Sequence, residues 1–271
     1  MKLYNSHIHT KNSPDGKYSA EDMANAAIAN GLSGITVTDH CNIGTFISEN
    51  IYDRIKSSVT DTLEIRRLCS GRLEVGVGIE VGEAIWNREY TDRILASADF
   101  DAVLASVHCL KNVKPGNGHL SRIDFSSLSD EETAGILDIY YADVLKTASE
   151  CNFDILSHLT LPLRYFLRSC GRHFVSERHD KAIDDILKTL IDRGKALEVN
   201  TSELEGLGLM PDRRILERFR SLGGELVTIG SDAHKPEKIA LGLVYAAETL
   251  RECGFESYVY YKDHKPIFVR L

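Results

Sequence analysis

The chain has 271 residues, 43% of them hydrophobic and 27% charged, with 40 acidic side chains against 32 basic ones. This is the composition of a folded domain rather than a disordered or fibrous chain, and a net charge of -8 gives no electrostatic reason to expect nucleic acid or an anionic membrane as a partner. No stretch approaches the roughly 18 consecutive apolar residues that span a bilayer and the first residues lack the apolar run of a signal peptide, while six cysteines without a C-x-x-C pair predict free thiols in a reducing cytoplasm.

Short apolar runs rich in β-branched residues recur seven times, each followed by a longer segment of helical period, which is the pattern of repeated βα units. The first strand is predicted near residues 3–7. Ser19 caps the helix that follows, with Glu21 and Asp22 in its first turn and Gly31 at its end. Strands two, three and four fall near 34–38, 74–79 and 101–107; the fourth is almost continuously apolar, as in a parallel strand covered on both faces. The fifth, near 153–157, leads into residues 159–176, a basic loop with Arg164, Arg168, Arg172 and His173 and no acidic residue. Ser176 and Gly194 bracket a helix whose Ile183, Ile186, Leu187, Leu190 and Ile191 form one apolar stripe. The sixth strand lies near 195–199, Pro211 and Gly223 delimit a further helix, and the seventh strand lies near 225–230. No linker divides the chain, so one α/β domain over residues 1–271 is expected, and length alone suits a barrel or a doubly wound sheet.

The ten histidines decide between them. Strand one runs into His7-Ile8-His9, strand two into Asp39-His40, strand three into Glu80, strand four into His108, strand five into His158 and strand seven into Asp232-Ala233-His234. Only a closed barrel gathers the carboxyl ends of all its strands around one centre. The i, i+2 spacing in His7-Ile8-His9 and Asp232-Ala233-His234 puts both polar side chains on one face of an extended chain. A lone buried histidine is most often a hydrogen-bonded core residue, but six imidazoles with Glu80 and Asp232 at one mouth pose a desolvation problem that bound cations remove. The donors exceed the four that one tetrahedral zinc takes, so two or three divalent ions are expected, with zinc, iron or manganese suited to imidazole and carboxylate. Three such ions bring about +6, of which the carboxylates Glu80, Asp232 and Asp15 remove about 3, leaving a pocket fit for hydroxide and a phosphate dianion together.

In kind, order and spacing, His7-Ile8-His9, Thr38-Asp39-His40, Glu80, Ser106-Val107-His108, Ser157-His158 and Gly230-Ser231-Asp232-Ala233-His234 resemble the polymerase and histidinol phosphatase (PHP) family, and most of all its histidinol-phosphatase branch. The resemblance implies a distorted seven-stranded βα barrel with a trinuclear centre. One metal would be held by His7, His9, Glu80 and Asp232, and a second by a bridging Glu80 with His108 and His158. The third would use His40, His234 and Asp15, where many relatives carry a histidine. Glu80, Asp232 and His234 are the residues it marks as catalytic. The implied reaction is hydrolysis of L-histidinol phosphate to L-histidinol and phosphate by a metal-bound hydroxide; another small phosphoester is the alternative, and an amidohydrolase-like reaction a more distant one.

On the substrate side Arg164, six residues past His158, is expected to clamp the phosphate. Lys111, Lys114, His119 and Arg122 form a second basic candidate after His108. Strand six supplies no imidazole, which leaves Glu198 or Asn200 to contact the organic part or to tie the rim together. Asp39 either orients a ligand from behind or simply ends its strand. The expected partner is a small molecule, and His119, His173, His179 and His264 are not expected to bind metal.

Overall fold

A sheet whose first and last strands meet determines everything placed on it. The structure, a computed structural model, describes residues 1–44, 50–113 and 118–271. Its strands are β1 (Tyr4–Ile8), β2 (Gly34–Val37), β3 (His40–Asn42), β4 (Glu74–Gly82), β5 (Ala102–Ser106), β6 (Ile155–Leu156), β7 (Ala196–Asn200) and β8 (Val227–Gly230). They form one sheet in the order β1-β2-β4-β5-β6-β7-β8. Every neighbouring pair is parallel. The ends approach through a parallel bridge between Ile8 and Ala233, where Asp232 N donates to His7 O and His9 N to Ala233 O, both at 2.9 Å. The result is a nearly closed seven-stranded βα barrel, as the convergence of polar strand ends predicted.

The seven expected strands are present, with two differences at their ends. β4 continues through Glu80 to Gly82, so Glu80 sits within its strand rather than after it. β3 pairs with β4 at His40↔Glu80, resuming the path of β2 after a break at Thr38 and Asp39. Alternate strand residues fall into two separate apolar clusters. Ile35, Val37, Val75, Val77, Val103, Leu197 and Ile229 join the large core shared with the helices, whereas Ala102, Leu104, Ile155 and Ala196 form a small cluster inside the barrel.

The helices are α1 (Ala20–Ala29), α2 (Ile51–Leu68), α3 (Arg88–Leu95), α4 (Asp130–Glu150), α5 (Leu161–Cys170), α6 (Asp180–Asp192), α7 (Arg213–Ser221) and α8 (Leu243–Glu252). Ser19 caps α1 in a reciprocal box with Asp22, satisfying two backbone donors that a helix start leaves unpaired. α6 begins four residues after Ser176, at Asp180, because Ser176 Oγ instead accepts from Arg178 N at 3.2 Å. α7 begins two residues after Pro211, with Asp212 as its cap. Residues 161–170, expected as loop, form α5, with Pro162 in its first turn and Gly171 at its end. All six cysteines are free thiols, and among the described residues no helix is long and apolar enough to cross a membrane.

The sequence reading missed a C-terminal hairpin, β9 (Ser257–Lys262) and β10 (Lys265–Arg270). Val259 and Tyr261 complete the small apolar cluster inside the barrel. Tyr258 Oη accepts from Tyr4 N at 2.9 Å and donates to Lys2 O at 3.0 Å, so the hairpin seals the end of the barrel opposite the histidines. Val259→Ala is expected to lower the unfolding free energy by about 2 kcal/mol in urea titrations, whereas Phe268→Ala, at a residue 59% exposed, changes it by less than about 0.5 kcal/mol; equal losses would exclude the sealing role.

Candidate metal centre

The strand ends bring His7, His9, His40, Glu80, His108, His158, Asp232 and His234 to one mouth. His7, His9 and Asp232 form a tight group, and Glu80 lies against its two imidazoles. His7 Nε2 lies 3.0 Å from His9 Nε2, 3.3 Å from Glu80 Oε2 and 3.7 Å from Asp232 Oδ1, and His9 Nε2 lies 3.5 Å from Glu80 Oε2 and 3.1 Å from Asp232 Oδ1. Donors bound at about 2.0–2.1 Å around one tetrahedral ion stand about 3.3 Å apart. The spacing therefore suits a divalent ion among them.

Hydrogen bonds behind these rings fix which nitrogen faces the mouth. His7 Nδ1 donates to Glu198 Oε1 at 2.6 Å. Ser13 Oγ gives its proton to Asp39 Oδ1 at 3.0 Å, which leaves it to accept from His9 Nδ1 at 3.1 Å. As neutral imidazoles these two rings present Nε2 lone pairs to each other and to carboxylates, an arrangement that repels unless a proton on His7 or a cation stands between. Asp39 thus orients His9 through Ser13. It also accepts from Thr10 N at 2.6 Å and Ser58 Oγ at 2.6 Å, which ties down the loop after β1.

Other donors gather around the same carboxylate. His108 Nε2 and His158 Nε2 lie 3.3 Å and 3.0 Å from Glu80 Oε1. His40 Nδ1 lies 2.7 Å from Glu80 Oε2, yet both are buried without a properly directed hydrogen bond, as are His158 Nδ1 and His234 Nε2. Buried polar atoms seldom go unpaired, and these converge on shared space. Asp15 Oδ2 stands 3.1 Å from His234 Nε2 and 3.7 Å from His40 Nε2. The groupings tight enough to hold an ion are His9–His40–His234, His7–His9–Asp232 and His40–Glu80–His108. Asp15 and His158 approach members of these sets without belonging to them. His119, His173, His179 and His264 appear in none; His179 bonds Ala134 O, and His264 bonds Asp154.

The charges pull in opposite directions. Burial opposes ionisation of Glu80, but His40, His7 and His108 outweigh it and hold the carboxyl well below its ordinary range. Asp232 is likewise depressed against its burial, chiefly by the neighbouring His7, His9 and His234. Burial works against a charged His7, yet Glu198, Glu80 and Asp232 raise it; burial together with His40 and His234 drives His9 down. His234 rises to about 9 against its burial because the Asp15 carboxylate stands 3.1 Å away and Asp232 is near, and Asp15 is held ionised against burial by His234 and His40. Ionised carboxylates beside a His9 that resists protonation form a site that favours added positive charge.

Tight packing shapes the mouth. A Cβ on Gly230 would stand 2.2 Å from Glu198 Oε1 and 2.6 Å from His7 Cβ, and one on Gly82 would stand 2.3 Å from Asn42 Oδ1. His158 and Asp232 adopt left-handed backbone, at φ 24° and 52°, a strained conformation for residues with side chains.

The basic segment after His158 differs from its sequence reading. Arg168 pairs with Glu203 and Arg172 with Asp130, so the lip is largely neutralised. Arg164 instead faces the mouth, with Nη1 3.7 Å from Asp232 Oδ2. Its Nη1 donates to Ser202 Oγ at 3.1 Å and its Nη2 to Tyr165 Oη at 3.0 Å, while its Nε is buried and unpaired. Asn200 is fully buried; its Nδ2 donates to Glu198 Oε2 at 3.2 Å, and its Oδ1 accepts from Ser202 N at 3.0 Å and Ser202 Oγ at 2.7 Å. Glu198 also accepts from His158 N at 2.8 Å. In the second basic segment Lys111 Nζ sits 5.2 Å over the Trp86 ring, His119 Nδ1 is 2.7 Å from Ser121 Oγ, Arg122 is exposed, and Lys114 lies outside the described residues.

A family model described as PHP domain matches residues 5–202. A protein of Clostridium acetobutylicum named "Probable histidinol-phosphatase" is 29% identical, covering 94% of this chain and 95% of that protein. The "Histidinol-phosphatase" of Lactococcus lactis subsp. lactis is 25% identical, covering 94% and 93%. In fold, the chain matches the crystal structure of histidinol phosphate phosphatase from Lactococcus lactis subsp. lactis Il1403 complexed with zinc, L-histidinol and phosphate, with a TM-score of 0.79 at 20% identity and 98% and 99% of the two chains covered.

Zinc or manganese added to chelator-treated protein is expected to raise its melting temperature in a concentration-dependent way. His9→Ala should abolish most of that shift and His179→Ala should leave it intact; a full shift in His9→Ala would remove His9 from the centre.

Proposed function

The chain belongs to the PHP domain family, and on that premise we propose that it is a metal-dependent phosphomonoesterase that hydrolyses L-histidinol phosphate to L-histidinol and phosphate. The observation that carries this reading is Arg164, a phosphate-clamping donor 3.7 Å from Asp232 at the edge of a metal-capable cluster. Full-length relatives named histidinol-phosphatase and a similar fold crystallised with L-histidinol and phosphate support the substrate.

Two or three divalent ions, zinc, iron or manganese, fit the donor set. One set is His7, His9, Glu80 and Asp232, a second is Glu80, His108 and His158, and a third is His40, His234 and Asp15. Bound there, such ions supply Lewis acidity that acidifies water and offsets phosphoryl charge. Glu80, Asp232 and His234 are catalytic as members of these sets. Arg164 contributes its unpaired Nε–H and its mouth-facing guanidinium edge to the phosphoryl oxygens, holding the ester in place. Asn200 acts at one remove, because its carboxamide oxygen holds Ser202, which in turn accepts from Arg164. The catalytic domain spans residues 1–271, the C-terminal hairpin included, and its place is the cytoplasm, where six free thiols stay reduced.

The second reading is the same chemistry on a nucleotide or sugar phosphate. An amidohydrolase-like reaction is less favoured, since Glu80, with imidazoles at both its oxygens, would be the shared ligand and Arg164 would serve an anion. Across a panel of phosphomonoesters, histidinol phosphate is expected to give the highest kcat/KM; a poor rate with it beside a good rate with nucleotides would overturn the substrate. Arg164→Ala should lower kcat/KM by roughly 10- to 100-fold, the weight of one charged hydrogen bond, with metal content unchanged. Three metal equivalents falling to two in Asp15→Ala would support Asp15 as a ligand, and two in both proteins would leave it a loop residue.

A further inference from the structure

We propose that Glu83, which lies outside the donor set, is the positioning residue for His108. This rests on the metal reading above and adds to it a residue that fixes one arm of the centre. Glu83 is fully buried and follows the last ladder residue of β4. The β4–β5 register ends at Gly82↔Ser106, and Glu83 N still donates to Ser106 O at 3.0 Å. There the backbone turns into the left-handed region at φ 56°, and its carbonyl leaves the ladder. The side chain takes over the acceptor role: Glu83 Oε1 accepts from His108 N at 2.7 Å and Cys109 N at 2.9 Å.

These two bonds determine where His108 begins its excursion from β5. On the carbonyl side Leu120 N donates to His108 O at 2.8 Å, and Asn42 Oδ1 lies 3.3 Å from His108 Nδ1. With the backbone held on both sides, Nε2 points at Glu80 Oε1, 3.3 Å away. A glycine would adopt this φ without strain but would leave both amides without an acceptor, and a buried carboxylate is itself costly. The geometry accounts for glutamate here: only an acceptor on an arm of this length reaches both amides.

The test uses the full chain, stripped by chelator and titrated with zinc or manganese, reading affinity and stoichiometry by calorimetry and elemental analysis. Glu83→Gln keeps the accepting oxygen and should bind within about threefold of the native protein. Glu83→Gly relieves the backbone strain but leaves the His108 and Cys109 amides without their acceptor; folded in chelator, it should bind one ion roughly 10- to 100-fold more weakly, as loss of an outer hydrogen-bond partner does. Combined with His108→Ala it should cost nothing beyond His108→Ala alone. Native affinity in Glu83→Gly, losses that add in the double variant, or a glutamine variant as weak as the glycine one would each overturn the proposal. Should the glycine variant not fold, Glu83→Asp, whose arm is one methylene short, is expected to weaken one ion similarly, and native affinity there would overturn it equally. If His108→Ala itself bound a full complement of metal, the metal reading would fail rather than the role of Glu83.

Discussion

The carboxylate of Glu80 is the constraint around which the rest of the molecule is arranged. It is fully buried, and five imidazoles crowd its two oxygens: His7, His9 and His40 at Oε2, His108 and His158 at Oε1. No carboxylate satisfies five ring nitrogens by hydrogen bonding, which accounts for the unpaired polar atoms around it. Such an assembly is held only if the scaffold is rigid, and a parallel barrel closed between Ile8 and Ala233 supplies that rigidity.

A layer of polar residues behind the mouth turns rough convergence into aim. Glu198 links His7, the backbone of His158 and Asn200. Asp39 acts on His9 through Ser13. Arg164, Ser202, Asn200, Glu198 and His7 thereby form one continuous chain of hydrogen bonds, so the proposed phosphate-binding group and the first of the proposed metal donors are set by the same framework. Interactions of this kind decide geometry more than net stability.

The donor set was legible because its signal is positional: polar residues interrupt apolar strands at the same end, and i, i+2 spacing assigns them one face. The residues behind them were less so. Glu198 sits on an apolar strand, and nothing local says whether its side chain meets substrate or His7. The ion pairs that neutralise Arg168 and Arg172 come from Glu203 and Asp130, too distant in sequence for local charge patterning to reveal. α5 carried the usual boundary residues, Pro162 and Gly171, but its run of arginines read as loop. The hairpin was hidden because Asp263 and His264 hold positive φ at its turn, where a glycine is the usual sign. Glu83 was invisible for the same reason.

The contacts that close the barrel join the two ends of the chain. Tyr258 grips Lys2 and Tyr4, and the side chain of Asn5 donates to Ser231 Oγ across 226 positions. During synthesis, β1 with His7 and His9 emerges first but has one neighbour missing until β8 is made, and the barrel stays open below until the hairpin follows. His40 on β3, Glu80 on β4, and His108 and His158 just after β5 and β6 are translated in that interval. The centre thus cannot be complete before residues 227–234 are made: a ribosome-bound chain lacking them has neither Asp232 nor His234, nor the backbone contacts that hold β1 on its open side.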